Sequence, residues 1–260
     1  MKSEGIINHP SPFTLHPSPF TTYMIFKDII DGLIDLLYPP RCLLCKSGEK
    51  EWICERCIQN IDTSPLPFCY ECMKEFFEVP DVCPECNSRK FACSLGFYED
   101  LLKEAICRLK YEGKIVIGER LGTLMFQKFF NFFSPSWFDL ILPVPLHKNR
   151  IASRGFNQAE ILIRTLSYRM EFISSSDILY RKRDTKQQVT IPFDTREKNV
   201  KGAFGIRDHN SLKGKNILLV DDVFTTGATA KECSKTLLDS GANRVYLLVL
   251  AISTKKWKIF

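Results

Sequence analysis

Residues 217–229 read ILLVDDVFTTGAT, and this stretch constrains the fold more than any other in the chain. Ile217 to Val220 are four apolar residues in a row, the mark of a buried strand. Asp221 and Asp222 stand at its end, followed by a hydroxyl-rich turn (Thr225, Thr226, Gly227, Thr229) and a helix expected over residues 227–240. The order places two carboxylates beside a helix N-terminus, whose backbone amides and dipole favour a phosphate-sized anion.

Three readings compete for a strand that ends in two acids. A Walker B strand needs a G-x-x-x-x-G-K-[ST] partner, which the chain lacks. A dinucleotide fold needs G-x-G-x-x-G after a strand, and none is present. A ribose-5-phosphate site uses every residue of the motif. The acids accept hydrogen bonds from ribose hydroxyls, the amides of residues 226–229 hold the phosphate, and Gly227 lets the backbone come close.

Four Cys-x-x-Cys pairs lie upstream: Cys42/Cys45, Cys54/Cys57, Cys69/Cys72 and Cys83/Cys86, eight of the chain's eleven cysteines. Zinc takes four thiolates in a tetrahedron, and each pair supplies two from one tight turn. Sequential pairing gives two sites, Cys42/Cys45/Cys54/Cys57 and Cys69/Cys72/Cys83/Cys86. An interleaved arrangement and an iron–sulfur cluster remain alternatives at this point. Four protein ligands leave no open position for water, so the expected Zn²⁺ role is structural, standing in for the core that so short a module lacks. Cys93, Cys107 and Cys233 read as small buried hydrophobes.

Residues 1–23 carry HPSPFT twice and read as a disordered leader, with translation starting at Met24 as a sharper hypothesis. Residues 25–37 have helical apolar spacing, but Lys27, Asp28, Asp31 and Asp35 exclude a membrane span there. Without a signal-like apolar run the expected location is cytoplasmic. Downstream, strands are expected at 94–98, 138–142, 177–180, 217–220 and 245–251. Helices are expected at 100–110, 117–133, 155–172 and 227–240. Such alternation argues for a parallel α/β sheet. The organisation is thus a leader (1–23), an N-terminal helix with a double four-cysteine zinc module (24–93) and an α/β domain (94–260).

The formal net charge of +6 is concentrated. Residues 147–207 hold 13 Lys and Arg against 6 Asp and Glu, a field that suits a phosphorylated small molecule or nucleic acid.

The motif ILLVDDVFTTGAT resembles the phosphoribosyl-pyrophosphate (PRPP) signature of type I phosphoribosyltransferases. The other blocks occur in a set order: YPPRCLLC (38–45), the cysteine pairs, LKYEGK (109–114), PVPLHKNRIASRGFNQAEIL (143–162), Gln187–Gln188, Arg196-x-x-Asn199 and GAF (202–204). Together they resemble the ComF family from about residue 24 onward. The resemblance implies a type I phosphoribosyltransferase-like parallel sheet flanked by helices, with a small N-terminal Cys-rich zinc module. It also implies a link to natural competence and DNA uptake.

By that resemblance the ribose contacts, and any catalytic role, fall on Asp221 and Asp222. The 5-phosphate contacts fall on Thr225, Thr226, Gly227, Ala228 and Thr229, with Mg²⁺ arriving with PRPP. The pyrophosphate contacts fall on Lys148, Arg150 and Arg154, with Gly155 opening the next helix. A flexible loop brings Arg196 and Asn199. Thr225 stands where oxopurine enzymes carry Asp, which argues against a 6-oxopurine acceptor. Two other readings stay open: a single-stranded-DNA-binding uptake factor working with other uptake proteins, and a PRPP sensor without transferase activity.

Overall fold

The structure, a computed structural model, describes residues 41–49, 51–63, 65–167, 177–185 and 195–253. The expected leader, the helix at 25–37, Gln187–Gln188 and residues 254–260 lie outside the described residues. No helix among the described residues is long and apolar enough to cross a membrane.

A five-stranded sheet runs β1 (Phe68–Cys69), β2 (Phe91–Phe97), β7 (Arg244–Ile252), β6 (Asn216–Phe224) and β3 (Leu140–Pro143) in spatial order. All neighbours are parallel except β1, which pairs antiparallel with β2. A separate antiparallel pair joins β4 (Leu179–Arg181) to β5 (Phe204–Ile206). The helices are α1 (Glu55–Gln59), α2 (Asp100–Glu112), α3 (Ile115–Phe129), α4 (Lys148–Arg154), α5 (Gln158–Ser167), α6 (Arg196–Val200) and α7 (Ala228–Asp239).

Side chains alternate across a strand, so a sheet covered on both faces needs unbroken apolar runs. In β6, Leu218 and Val220 face a cluster built with α2, α3, α5 and the cysteine module. Ile217 and Leu219 face the opposite cluster, which includes α7 and the β4–β5 pair. The helices reach the sheet because their apolar residues recur at helical spacing. In α2 these are Leu102, Ala105, Ile106 and Leu109, and the helix ends at Gly113 in the left-handed conformation. On α3, Gly118 and Gly122 let α5 approach closely. A Cβ at Gly122 would fall 2.9 Å from the Leu162 carbonyl oxygen.

The cysteine module shares the domain's sheet and core. Its strand β1 extends the sheet. The Tyr70 hydroxyl meets Ser234 Oγ at 2.8 Å, and Glu71 pairs with Lys90 at 2.7 Å and Lys231 at 2.9 Å. The chain between the two cysteine quartets is pinned by Lys128, whose Nζ donates to the carbonyls of Thr63 (2.5 Å), Pro65 (2.7 Å) and Leu95 (3.2 Å). A Cβ at Gly96 would collide with the Asp62 carbonyl oxygen, so only glycine lets this segment cross β2.

Three expectations need correction. Strand β6 does not stop at Val220 but continues through both acids to Phe224, because β7 keeps pairing with it as far as Phe224↔Ile252. The helix expected at 155–172 is broken: Gly155 closes α4 with φ 86°, and α5 starts only at Gln158. No helix was expected between the strand at 138–142 and residue 155, but α4 forms there, capped by His147, whose Nδ1 accepts from the Asn149 amide at 3.3 Å.

Candidate functional site

Strand β3 stops pairing with β6 at Pro143↔Val220, just before the acids. From Asp221 onward β6 is paired on one side only, and a cleft opens there at the carboxyl ends of the parallel strands, where open α/β sheets bind ligands. It encloses about 200 Å³. Lys110 and Tyr111 come from α2, Arg150 and Arg154 from α4, Gln158 from α5 and Arg181 from β4. Asp221, Asp222, Thr225 and Thr229 complete it.

The two acids differ. Asp222 is buried, held by Lys110 Nζ at 2.8 Å and by the Gln158 amide. Gln158 Oε1 in turn accepts from Arg154 Nη1 at 2.6 Å, so Arg154, Gln158, Asp222 and Lys110 form one chain of contacts. Asp221 accepts the backbone amide of Asp222 at 2.8 Å. Burial, and then the neighbouring charge of Asp222, push its carboxyl up to about 7 against the pull of that amide, Lys110 and Arg181. Asp221 is therefore the acid that titrates near neutrality.

Beyond Phe224 the chain turns through Gly227 at φ 80°, and α7 begins at Ala228. The Thr226 hydroxyl accepts from the Ala228 amide at 3.2 Å, shaping the turn. A Cβ on Gly227 would fall 2.7 Å from the Phe224 ring, so conformation and space both demand glycine. Thr225, Gly227 and Thr229 line a smaller recess that continues the cleft below Asp221.

Cations dominate the opposite wall. Arg150 Nη2 donates to the Thr185 carbonyl at 2.5 Å, and Arg181 donates to the Thr185 hydroxyl and lies 5.3 Å over the Phe204 ring. Burial lowers the pKa of both guanidiniums. The buried Nε of Arg181 has no hydrogen-bond partner among the described residues. With Asp222 neutralised by Lys110, three arginines face one free carboxylate, a balance that favours a polyanion.

Of the residues expected to bind ligand, the structure brings Asp221, Asp222, Thr225, Thr229, Arg150 and Arg154 to the cleft, and Gly227 to its recess. Thr226 is buried in the turn, and Ala228 opens α7. Lys148 is exposed at the start of α4 and does not line the cleft, because α4 presents Arg150 and Arg154 there. Arg196 and Asn199 lie on α6, outside the cleft lining. Gly155 offers no helix N-terminus, since it ends α4. Lys110, Gln158 and Arg181 were missed as site residues. Lys110 and Gln158 stand inside LKYEGK and the 143–162 block, a signal present but unassigned to chemistry.

The cysteines gather sequentially: Cys42/Cys45/Cys54/Cys57 and Cys69/Cys72/Cys83/Cys86, with all sulfurs of each quartet within 4.8 Å. The Sγ separations are 3.8 Å for Cys42–Cys57, 3.5 Å for Cys45–Cys54, and 3.6 Å for both Cys69–Cys86 and Cys72–Cys83. Zn–S bonds of about 2.3 Å in a tetrahedron put sulfurs about 3.8 Å apart, so both quartets fit Zn²⁺ and the interleaved alternative falls away. Hydrogen bonds from Ser47 and Arg56 bring the Cys45 thiol down to about 5, into the thiolate form that metal needs. Cys93 and Cys233 are buried as expected, while Cys107 is partly exposed, 3.6 Å from the Tyr98 hydroxyl.

Sheet, acid-bearing strand and paired quartets define a phosphoribosyltransferase-like protein with a double zinc ribbon. Two families match accordingly: the double zinc ribbon domain over residues 33–87 and the phosphoribosyl transferase domain over residues 151–258. The resemblance to the ComF family is borne out along most of the chain. Competence protein F of Haemophilus influenzae is 28% identical over 222 residues, covering 81% of this chain and 96% of that protein. Competence protein ComFC of Bacillus subtilis is 27% identical, covering 77% and 89%. DNA utilization protein YhgH of Escherichia coli is 28% identical, covering 83% and 98%. Among solved structures, an allosteric regulatory enzyme of purine biosynthesis is 16% identical with a TM-score of 0.34, over 51% of this chain and only 25% of that one. The purine phosphoribosyltransferase of Pyrococcus horikoshii is 16% identical with a TM-score of 0.33, over 52% and 73%. Likeness at that level adds nothing to the assignment, which rests on the sheet and the family matches.

Proposed function

We propose that this chain is a ComF-type protein that binds PRPP, in the cytoplasm, in the handling of DNA taken up during natural competence. The observation that carries the reading is the convergence of Asp221, the turn at the start of α7 and three arginines on one cleft of small-molecule size. The 5-phosphate sits on the amides of residues 226–229. Asp221 accepts from a ribose hydroxyl once ionised, and Asp222 is kept in place by Lys110 and Gln158. Arg150, Arg154 and Arg181 face the diphosphate, and Mg²⁺ bound with PRPP would supply further neutralisation of the leaving group.

The names of the relatives support the competence role. A single-stranded DNA groove is the second reading, favoured by the same arginines, but a cleft of about 200 Å³ suits one sugar phosphate better than a strand. If transfer occurs, the C1–O bond breaks, pyrophosphate leaves with the electron pair, and an acceptor bonds to C1 and gives up its proton.

Calorimetric titration with PRPP and Mg²⁺ tests the proposal. Heat from the wild type that is lost in Asp221→Ala/Asp222→Ala supports it, and an inert wild type refutes it. Pyrophosphate release in the bound complex separates a transferase from a sensor.

A further inference from the structure

A second cavity lies at the opposite end of the sheet, away from the cleft just described. It encloses about 480 Å³, within the range of small-molecule sites. Its floor is the amino ends of β6 and β7, with Asn216, Asn243 and Arg244. One wall is the second zinc ribbon, with Asp81 and Arg89, and the other is the 3-10 turn Pro135–Trp137. Asn216 starts the strand whose sixth residue is Asp221, so the two sites lie about 17 Å apart along β6 at about 3.3–3.4 Å per residue.

Three chemistries converge there. First, two guanidiniums share one carboxylate: Arg89 Nη2 reaches Asp81 at 3.0 and 3.2 Å, and Arg244 Nη2 bonds the same carboxylate. Each guanidinium has five N–H donors, so most remain unspent and the trio keeps one net positive charge. Arg244 is held for the purpose, its side chain 14% exposed and its Nη1 donating to the Tyr246 hydroxyl at 3.1 Å. Second, Trp137 leaves 38% of its surface exposed and is braced edge-on by Phe133 (centroids 6.0 Å, 83°) and at a tilt by Tyr246 (6.3 Å, 35°). That makes a rigid stacking platform. Third, Asn243 Nδ2 donates to Asn216 Oδ1 at 2.8 Å, which leaves the pair amide donors and an amide acceptor for a ligand edge.

We propose that this cavity, between the second zinc ribbon and the sheet, is a nucleotide site. It takes a nucleoside 5′-monophosphate unit with the phosphate on Arg89 and Arg244, the base on Trp137 and a base edge on the Asn216–Asn243 pair. Asp81 holds the arginines in place and yields to the phosphate. The same chemistry is offered by a free mononucleotide and by one nucleotide of a single strand. The site stands independently of the PRPP reading.

The test uses the zinc-loaded full chain, titrated with AMP, with adenosine, with ribose 5-phosphate and with a 5′-phosphorylated oligodeoxynucleotide, read by calorimetry and tryptophan fluorescence. AMP is expected to bind and quench fluorescence, with adenosine weaker. Arg89→Ala weakens AMP about tenfold, one charge-assisted contact's share. Trp137→Leu removes the quench. Asp81→Asn tightens binding, an outcome that a purely structural ion pair would not give. Ribose 5-phosphate, which fits the cleft at Asp221 but carries no base to stack, gives no quench, and Asp221→Asn leaves the Trp137-dependent quench by AMP unchanged. Tighter binding of the oligonucleotide than of AMP assigns the site to a strand, and equal or weaker binding assigns it to the free nucleotide. Failure of both AMP and the oligonucleotide to quench Trp137 overturns the proposal, as does a quench that survives Arg89→Ala but is lost in Asp221→Asn.

Discussion

Replacing Lys110 by Met removes the cation from a pair whose side chains are 15% and 8% exposed, at 2.8 Å. The methionine fills the volume of the lysine stem, so the loss is electrostatic. Asp222 then keeps the Gln158 amide but no counter-charge. Breaking a buried pair by deleting one partner costs about 3–5 kcal/mol, and the surviving hydrogen bond places this case near the lower figure, about 3 kcal/mol. The cost depends on pH in a fixed direction. Loss of Lys110 also removes a charge that holds the Asp221 carboxyl down, so Asp221 rises further above its unfolded value. A buried carboxylate stripped of its counter-charge likewise favours its protonated form. A raised carboxyl leaves stability intact below the unfolded pKa and drains it as pH rises towards the folded one. Urea unfolding of wild type and Lys110→Met at pH 5 and pH 8 measures this. The deficit should be about 3 kcal/mol at pH 8 and clearly smaller at pH 5, with a midpoint shift of about 1–3 M at pH 8. Equal midpoints at pH 8, or a deficit that grows on acidification, would refute the reasoning.

Gly227→Ala should abolish sugar-phosphate binding and cost about 1–3 kcal/mol in thermal unfolding, because φ 80° and the Phe224 ring both oppose a Cβ. PRPP affinity should rise about tenfold from pH 6 to pH 8 as Asp221 ionises through about 7, and Asp221→Asn, measured alongside, should remove that part of the pH dependence. Stripping zinc with a chelator, or Cys42→Ser, should collapse the ribbon and also lower the unfolding temperature of the whole domain, since Cys42, Cys54 and Cys57 sit in the same core as α2 and α3. Circular dichroism against temperature reads this, and an unchanged domain transition would count against the shared core.

The motif at 217–229 was legible because it is local: strand, acids and turn follow one another, and the glycine that the turn requires is written at Gly227. The cysteine quartets were legible for the same reason, as each ligand pair closes on itself. The fold class followed from alternating strands and helices. The partners of the acids were not legible. Lys110 precedes Asp222 by more than a hundred residues, and only the packing of α2 against the sheet brings them together. Arg181 enters through β4, a three-residue strand whose partner β5 left no apolar run long enough to read. The break between α4 and α5 was hidden because Gly155 serves equally as a start or an end in sequence, and only its left-handed φ decides. The strand β1 that ties ribbon to sheet is two residues long.

The central claim is that the turn after β6 holds a sugar phosphate beside Asp221. A crystal structure of the zinc-loaded chain soaked with PRPP and Mg²⁺ tests it most directly. The account requires the 5-phosphate within hydrogen-bonding distance of the amides of residues 226–229, ribose hydroxyls on Asp221, and the diphosphate facing Arg150, Arg154 and Arg181. Density for PRPP elsewhere, with this turn empty at saturating ligand, would contradict it.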